Sequence, residues 1–241
     1  MLRQGASTHF EAPFLFLLLG RERALLLDTG ATADPEVLPL RATIDHLLAT
    51  WVERNGVEGS YPLVVAHSHA HDDHVAGDGQ FADRSDTTVL GHDAAAVAGF
   101  FGFDDGRAAF ELGGRTLEVL ATPGHEAAAI TVFDPMTGWL LTGDIVYPGR
   151  LYIEDDVAFA RSLDVLVEFA RTRPVTAVLG CHVEMSTATG VDFPAGTIEQ
   201  PDELPLALAP ERLEAIRGAA HQAIGRPGRH VLDDVVLVNR V

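Results

Sequence analysis

A chain of 241 residues with 47% hydrophobic content can bury a full core without disulfide or metal staples, and one α/β domain can span that length. The formal net charge is −18 and all 17 cations are arginine, an acidic balance that repels nucleic acid and anionic membranes, so neither is expected as a partner. The single cysteine excludes an intramolecular disulfide, no basic n-region with a long apolar stretch opens the chain, and the apolar run Phe14–Leu19 is far short of a membrane span; a cytoplasmic location is expected.

In chain order, Phe14–Leu19 and Ala24–Leu27 read as a hairpin around Gly20-Arg21-Glu22-Arg23. Asp34 and Pro35 make an N-cap and first helical position, after which Leu40, Ile44, Leu47 and Trp51 follow at helical spacing. Leu63–Ala66 is a short buried strand that leads into Ser68-His69-Ala70-His71-Asp72-Asp73-His74. Further strands are expected at Thr87–Leu90, Arg115–Ala121, Ile130–Phe133 and Trp139–Thr142, with an Ala-rich helix after Gly91-His92-Asp93. Phe159, Leu163, Leu166 and Ala170 define an amphipathic helix ahead of the strand Val175–Leu179. Pro210 opens a last helix carrying Leu213, Ile216 and Ala220 and ending near Gly225, and Val231 to Val238 reads as one closing strand. The alternation predicts an α/β fold. Without repeats or a long linker, residues 1–241 read as a single domain, with a ligand-bearing core at 14–182 and a C-terminal helix and strand within 205–241.

His69, His71, Asp73 and His74 form the pattern H-x-H-x-D-H, four metal-competent side chains in six positions. Imidazole and carboxylate together suit zinc, and also iron or manganese. On an extended segment His69 and His71 project from one side, whereas the adjacent Asp73 and His74 point apart, so one loop can serve two ions. The flanking Leu63–Ala66 and Val75-Ala76-Gly77 are a poor setting for a solvated histidine cluster. Three more candidates each sit just past a short apolar run, where α/β sheets gather functional groups: His125 after Thr122-Pro123-Gly124, Asp144 after Leu141-Thr142-Gly143, and His182 after Gly180-Cys181.

These residues in this order, with Leu27-Asp28-Thr29-Gly30 upstream, resemble the metallo-β-lactamase-fold hydrolases over roughly residues 14 to 182. The resemblance implies a four-layer αβ/βα sandwich with the metals at one edge of two packed sheets. It assigns His69, His71 and His125 to one ion and Asp73, His74 and His182 to a second, with Asp144 bridging. Two divalent ions, zinc first and iron or manganese as alternatives, would then share a water and supply hydroxide at neutral pH. Asp73 and Asp144 are the implied catalytic carboxylates, Asp73 orienting the hydroxide or moving its proton. Lactamases of this family generally lack an aspartate at the position of Asp144; the full set instead resembles glyoxalase II-like thioesterases, lactonases and phosphodiesterases. The implied function is hydrolysis of a small ester-like molecule, a thioester or lactone. The alternatives are a phosphodiesterase on the same two ions and a mononuclear-iron persulfide dioxygenase, the latter disfavoured by the second ligand set. Glyoxalase II proper adds a C-terminal helical region with basic residues for glutathione, whereas the segment after His182 offers one clear helix and no lysine.

Around the ligands, Tyr147 and Tyr152 are candidate substrate contacts in the manner of a lactonase tyrosine, with packing as the competing role for each. Arg150 between them is a candidate for a substrate carboxylate or else a solvated side chain. His67 is assigned a structural role beside the ligands, His92 the cap region of the Ala-rich helix, and Cys181 a buried apolar position. Glu126 shapes the pocket or accepts a hydrogen bond. Asp28 and Ser68 support the metal loop from beneath. His9, His46, His221 and His230 carry no motif and read as surface or helix positions.

Overall fold

The computed structural model describes residues 1–241. The aliphatic runs near the N-terminus build a first sheet: β1 (Leu2–Arg3), β2 (Phe14–Leu19) and β3 (Ala24–Leu27) are antiparallel, and α1 (Leu40–Asn55) then crosses over to β4 (Leu63–Ala66), parallel to β3. A four-residue helix α2 (Asp72–Val75) and a 3-10 segment (Ala76–Phe81) lead to β5 (Thr87–Val89), which pairs in parallel with β4. Every residue of β3 and β4 is buried, because apolar layers cover both faces; this is why the strands are continuous Leu and Val runs.

After α3 (Ala94–Phe101), a second sheet forms as the meander β6 (Arg107–Glu111), β7 (Thr116–Ala121), β8 (Ile130–Asp134) and β9 (Trp139–Gly143). Next come β10 (Arg150–Ile153), α4 (Asp156–Thr172), β11 (Ala177–Gly180), β12 (Ala207–Leu208), α5 (Arg212–Ala223), β13 (Gly228–Val231) and β14 (Val236–Asn239). The second sheet runs β12-β11-β9-β8-β7-β6, while β10-β14-β13 make a small separate sheet.

Three apolar clusters define four layers. Leu15, Ala24, Leu26, Leu63 and Val65 face Leu40, Ile44 and Leu48 of α1. The alternate residues Phe16, Leu25, Leu27, Val64 and Ala66 meet Leu117, Val119, Val132, Leu141 and Leu179 of the second sheet. That sheet's other face, with Leu120, Phe133, Leu140 and Val178, packs on Phe159, Leu163 and Leu166 of α4 and Leu213 and Ile216 of α5. The order is helix, sheet, sheet, helices, as the four-layer sandwich requires. Truncating a buried leucine here, such as Leu26, costs about 2–5 kcal/mol. No helix is long and apolar enough to cross a membrane.

Local expectations shift in two places. Helix α1 starts at Leu40, not near Pro35: Asp34 instead closes a turn, its Oδ1 accepting the Glu36 N–H at 2.9 Å. Pro39 holds the N-cap position and disfavours helical geometry at Leu38, and the buried stripe is Leu40, Ile44 and Leu48 rather than one through Leu47. The expected closing strand over 231–238 is a hairpin, with β13 and β14 antiparallel and β14 parallel to β10. The described β6, β10 and β12 have no counterpart in the sequence pattern.

Candidate metal centre

The C-terminal ends of β3, β4, β7, β9 and β11 lie on one edge of the sandwich, and the chain beyond each carries a polar residue into the same place. Past β3, Asp28 adopts left-handed backbone (φ +70°) and is fully buried. It accepts the Ser68 N–H at 2.7 Å and the Ser68 hydroxyl at 2.9 Å, clamping the loop after β4. Beyond β9, Gly143 has φ +54°, and a Cβ there would lie 2.7 Å from Cβ of Ser68. Glycine therefore lets the Asp144 loop close on the histidine loop. Ile130 N–H donates to the Ser68 carbonyl at 2.8 Å and ties the two sheets together at this edge.

Two triangles of donor atoms result. His69 Nε2, His71 Nδ1 and His125 Nε2 are separated by 3.0, 3.1 and 3.2 Å. His74 Nε2, His182 Nε2 and Asp73 Oδ2 are separated by 3.3, 3.1 and 3.2 Å. Asp144 lies between them: its Oδ2 is 4.0 Å from His69 Nε2, 3.8 Å from His125 Nε2 and 3.7 Å from His74 Nε2, and its Oδ1 is 3.5 Å from His182 Nε2. Tetrahedral ligation with metal–nitrogen bonds of 2.0–2.1 Å sets donors about 3.3 Å apart, close to both triangles. Asp144 Oδ1 is buried without a hydrogen-bond partner, an arrangement that a cation relieves.

Asp73 and His74 converge on one point instead of diverging. His71 is extended (ψ 151°) and the chain turns helical at Asp72, so the two neighbours are about 100° apart on a helical turn and not 180° apart on a strand.

The far sides of three of these imidazoles are held too. His125 Nδ1 donates to the Tyr152 carbonyl at 2.8 Å, His182 Nδ1 to the Glu11 carbonyl at 2.9 Å and His74 Nδ1 to Asp28 Oδ2 at 3.1 Å. These bonds leave Nε2 bare toward the cluster, as a metal ligand requires. Burial favours neutral His69 and His125 and lowers their pKa values. Burial also opposes charge on His74 and His182, but Asp28 and Asp144 beside the first, and Asp144 and Asp73 beside the second, outweigh it; His182 is raised to about 9. The same imidazoles hold Asp73 and Asp144 well below the usual carboxylate range despite their burial. The carboxylates thus call for positive charge at this end of the cluster, and the residues present fit divalent ions.

A cleft of about 330 Å³ opens over the cluster, walled by Glu11, Asp72, Tyr147, Tyr152, Glu184 and Arg240 besides members of the cluster itself. Tyr152 is half-buried in that wall. Tyr147 is 2% exposed, and its hydroxyl donates to the Arg150 carbonyl at 2.5 Å, so it packs beneath the cleft and does not offer a free hydroxyl. Arg150 is neither solvated nor free for a substrate: it is buried, paired to Glu184, bonded to Asp192 at 3.0 Å and to the Tyr152 hydroxyl at 3.2 Å, and absent from the cleft wall. The cation that does reach the cleft is Arg240, whose guanidinium lies 4.4 Å from the Tyr152 ring centroid. Arg240 and Glu11 sit near opposite chain ends and belong to no motif. Burial and the neighbouring Asp73 raise the Glu11 carboxyl to about 7.

Cys181 is fully buried, its thiol directed at Asp28 Oδ2 (3.2 Å) and pushed up in pKa by burial. Glu126 accepts the Ala128 N–H at 2.8 Å and lies off the cleft wall. The α3 cap is Asp93, accepting the Ala96 N–H at 2.8 Å, while His92 turns to Asp78.

The family model of the metallo-β-lactamase superfamily matches residues 12–182. The chain belongs to this superfamily. Metallo-β-lactamase superfamily relatives of similar sequence include the hydroxyacylglutathione hydrolase of Brucella ovis, 29% identical over 209 residues, covering 83% of this chain and 76% of the relative. The hydroxyacylglutathione hydrolase of Brucella abortus strain 2308 matches to the same extent. Among solved structures, ETHE1 from Myxococcus xanthus aligns with a TM-score of 0.54 at 18% identity, over 92% of this chain and 84% of that one. TMB-1 aligns with a TM-score of 0.53 at 16% identity, over 88% of this chain and 86% of that one. At these identities the structural likeness concerns the fold alone.

Proposed function

We propose that this protein is a dinuclear metal-dependent hydrolase of a small ester-like substrate, a thioester or a lactone. One observation carries the reading: Asp144 lies between two complete donor triangles, with one carboxylate oxygen buried and unpaired. His69, His71 and His125 would hold one ion, and Asp73, His74 and His182 the other, with Asp144 shared. Zinc fits a set of imidazoles and carboxylates best. Such a pair supplies Lewis acidity and lowers the pKa of a coordinated water toward neutrality.

The protein's own groups do the rest. Asp73, partly exposed to the cleft, is placed to orient a water or carry its proton. The carbonyls of Tyr152 and Glu11 fix the tautomers of His125 and His182, so their bare nitrogens stay directed inward. No side-chain nucleophile competes: Ser68 is buried and bonded to Asp28, and Cys181 is buried with a raised pKa. Tyr152 and Arg240 form the wall against which an acyl substrate lies. The hydroxyacylglutathione hydrolase relatives favour a thioester among the ester-like options. The complete second triangle speaks against a mononuclear iron site of the persulfide dioxygenase kind.

Metal content per chain, measured by plasma mass spectrometry on protein purified without chelators or a histidine tag, tests this reading alongside a panel of thioesters, lactones and phosphodiesters. At least two equivalents of metal and turnover of thioester or lactone are expected. A single iron with oxygen consumption on persulfides overturns it, and turnover of phosphodiesters alone replaces the substrate class.

A further inference from the structure

Beside the dinuclear cluster, a second group of metal-competent side chains converges from three different segments. His67 comes from the end of β4, Asp78 from the 3-10 segment after α2, and His92 from the residues before α3. Asp78 divides its two oxygens between the imidazoles: Oδ1 lies 2.8 Å from His67 Nε2, and Oδ2 lies 2.7 Å from His92 Nε2. The two rings stand edge to face with centroids 4.8 Å apart. All three donor atoms lie within 4.8 Å of one another. None of these residues takes part in the two triangles described above.

We propose that His67, Asp78 and His92 form a third metal site, taking one zinc-class divalent ion with water completing its coordination. Two imidazoles and a carboxylate are the donor set of first-row transition metals, not of magnesium or calcium. The site is held where a ligand must be rigid and open where an ion must enter. His67 is 6% exposed, and the Thr29 hydroxyl donates to Asp78 Oδ1 at 2.8 Å, fixing the carboxylate from behind. The His92 side chain is 41% exposed, so it can turn and leave a face open to water. Zinc ligation spreads nitrogen and oxygen donors to about 3.3 Å, which asks the present contacts to open by about half an ångström. His92 has that freedom. A carboxylate in a chain of net charge −18 adds to the pull on a cation.

An ion here would fasten the histidine loop to the start of α3. Thr29 also links the site to the dinuclear centre, since its N–H donates to the His74 carbonyl at 2.7 Å. The third ion is therefore a structural neighbour of the catalytic pair and not a participant in turnover.

The test is zinc uptake by metal-free protein, read by isothermal titration and plasma mass spectrometry, for wild type, His92→Ala and Asp78→Asn. Wild type should bind one equivalent more than either variant, and zinc should raise the wild-type Tm beyond the rise seen in His92→Ala. In chelator the three proteins should show matching circular dichroism, which separates lost binding from lost fold. The same comparison in an Asp144→Ala background keeps this site distinct from the dinuclear one: a difference of one equivalent there sustains the proposal whatever the central cluster binds. Equal uptake by wild type and His92→Ala overturns it, leaving a hydrogen-bonded His–Asp–His group without an ion. So does full uptake by Asp78→Asn.

Discussion

His74 Nδ1 donates to Asp28 Oδ2 at 3.1 Å across 46 positions of sequence, and both side chains are fully buried. The same carboxylate receives the Ser68 backbone and hydroxyl and faces the Cys181 thiol, so one aspartate after β3 positions the whole floor of the cluster. Asp28→Asn keeps the shape but sets an NH₂ against donors. Zinc affinity should fall about 10–100-fold, read by competition with a chromophoric chelator, with far-UV circular dichroism unchanged.

Asp144→Ala removes the carboxylate shared by the two triangles. Bound metal should fall by at least one equivalent relative to wild type, and hydrolysis should slow by at least about 100-fold while the fold survives. Retention of both metals and of activity would sink the bridging role.

Arg150 and Arg240 should separate stability from substrate contact. Arg150→Ala strands the largely buried Glu184 and leaves Asp192 to Arg229 alone, and should cost about 3–5 kcal/mol in urea unfolding. Arg240→Ala, at a half-exposed rim position, should change stability by about 0.5 kcal/mol or less. Its effect should appear as a KM raised about tenfold for anionic substrates and unchanged for neutral ones. A KM effect from Arg150→Ala at unaltered stability would reverse the two roles.

Asp134 lies inside the second sheet. Burial alone would raise its pKa, but Arg115, at 2.9 and 2.8 Å, and Thr137 outweigh that and lower it. A carboxylate depressed on folding contributes stability above its unfolded pKa of about 3.9, and that contribution disappears as pH falls through the folded value. Asp134→Asn should therefore be clearly less stable than wild type at neutral pH, and the gap in Tm should narrow below about pH 4. A gap independent of pH would show that the ion pair is not its source.

The cluster of metal-competent side chains was legible in the sequence because it is written in short-range terms: donor types at fixed spacing, each just beyond an apolar run. Asp73 and His74 were legible as metal-competent side chains but not in direction, since their directions depend on the helical turn that starts at Asp72. Tyr147 and Arg150 sit within a few residues of Asp144, yet proximity in the chain gave neither a free polar group in the cleft: the Tyr147 hydroxyl is bonded beneath it and Arg150 lies outside its wall. Glu184 and Asp192, 34 and 42 positions beyond Arg150, draw its guanidinium inward.

By itself the sequence determined the family, the α/β alternation and the residues whose chemistry suits two metal ions. Each depends on local pattern, which survives without knowledge of neighbours. Only the tertiary structure decided that Arg240 and Glu11, from opposite ends of the chain, wall the cleft, and that His67 and His92 share Asp78. Those meetings follow from burying alternate faces of two sheets against one another, which brings distant loops to one edge and leaves no periodic trace in the chain.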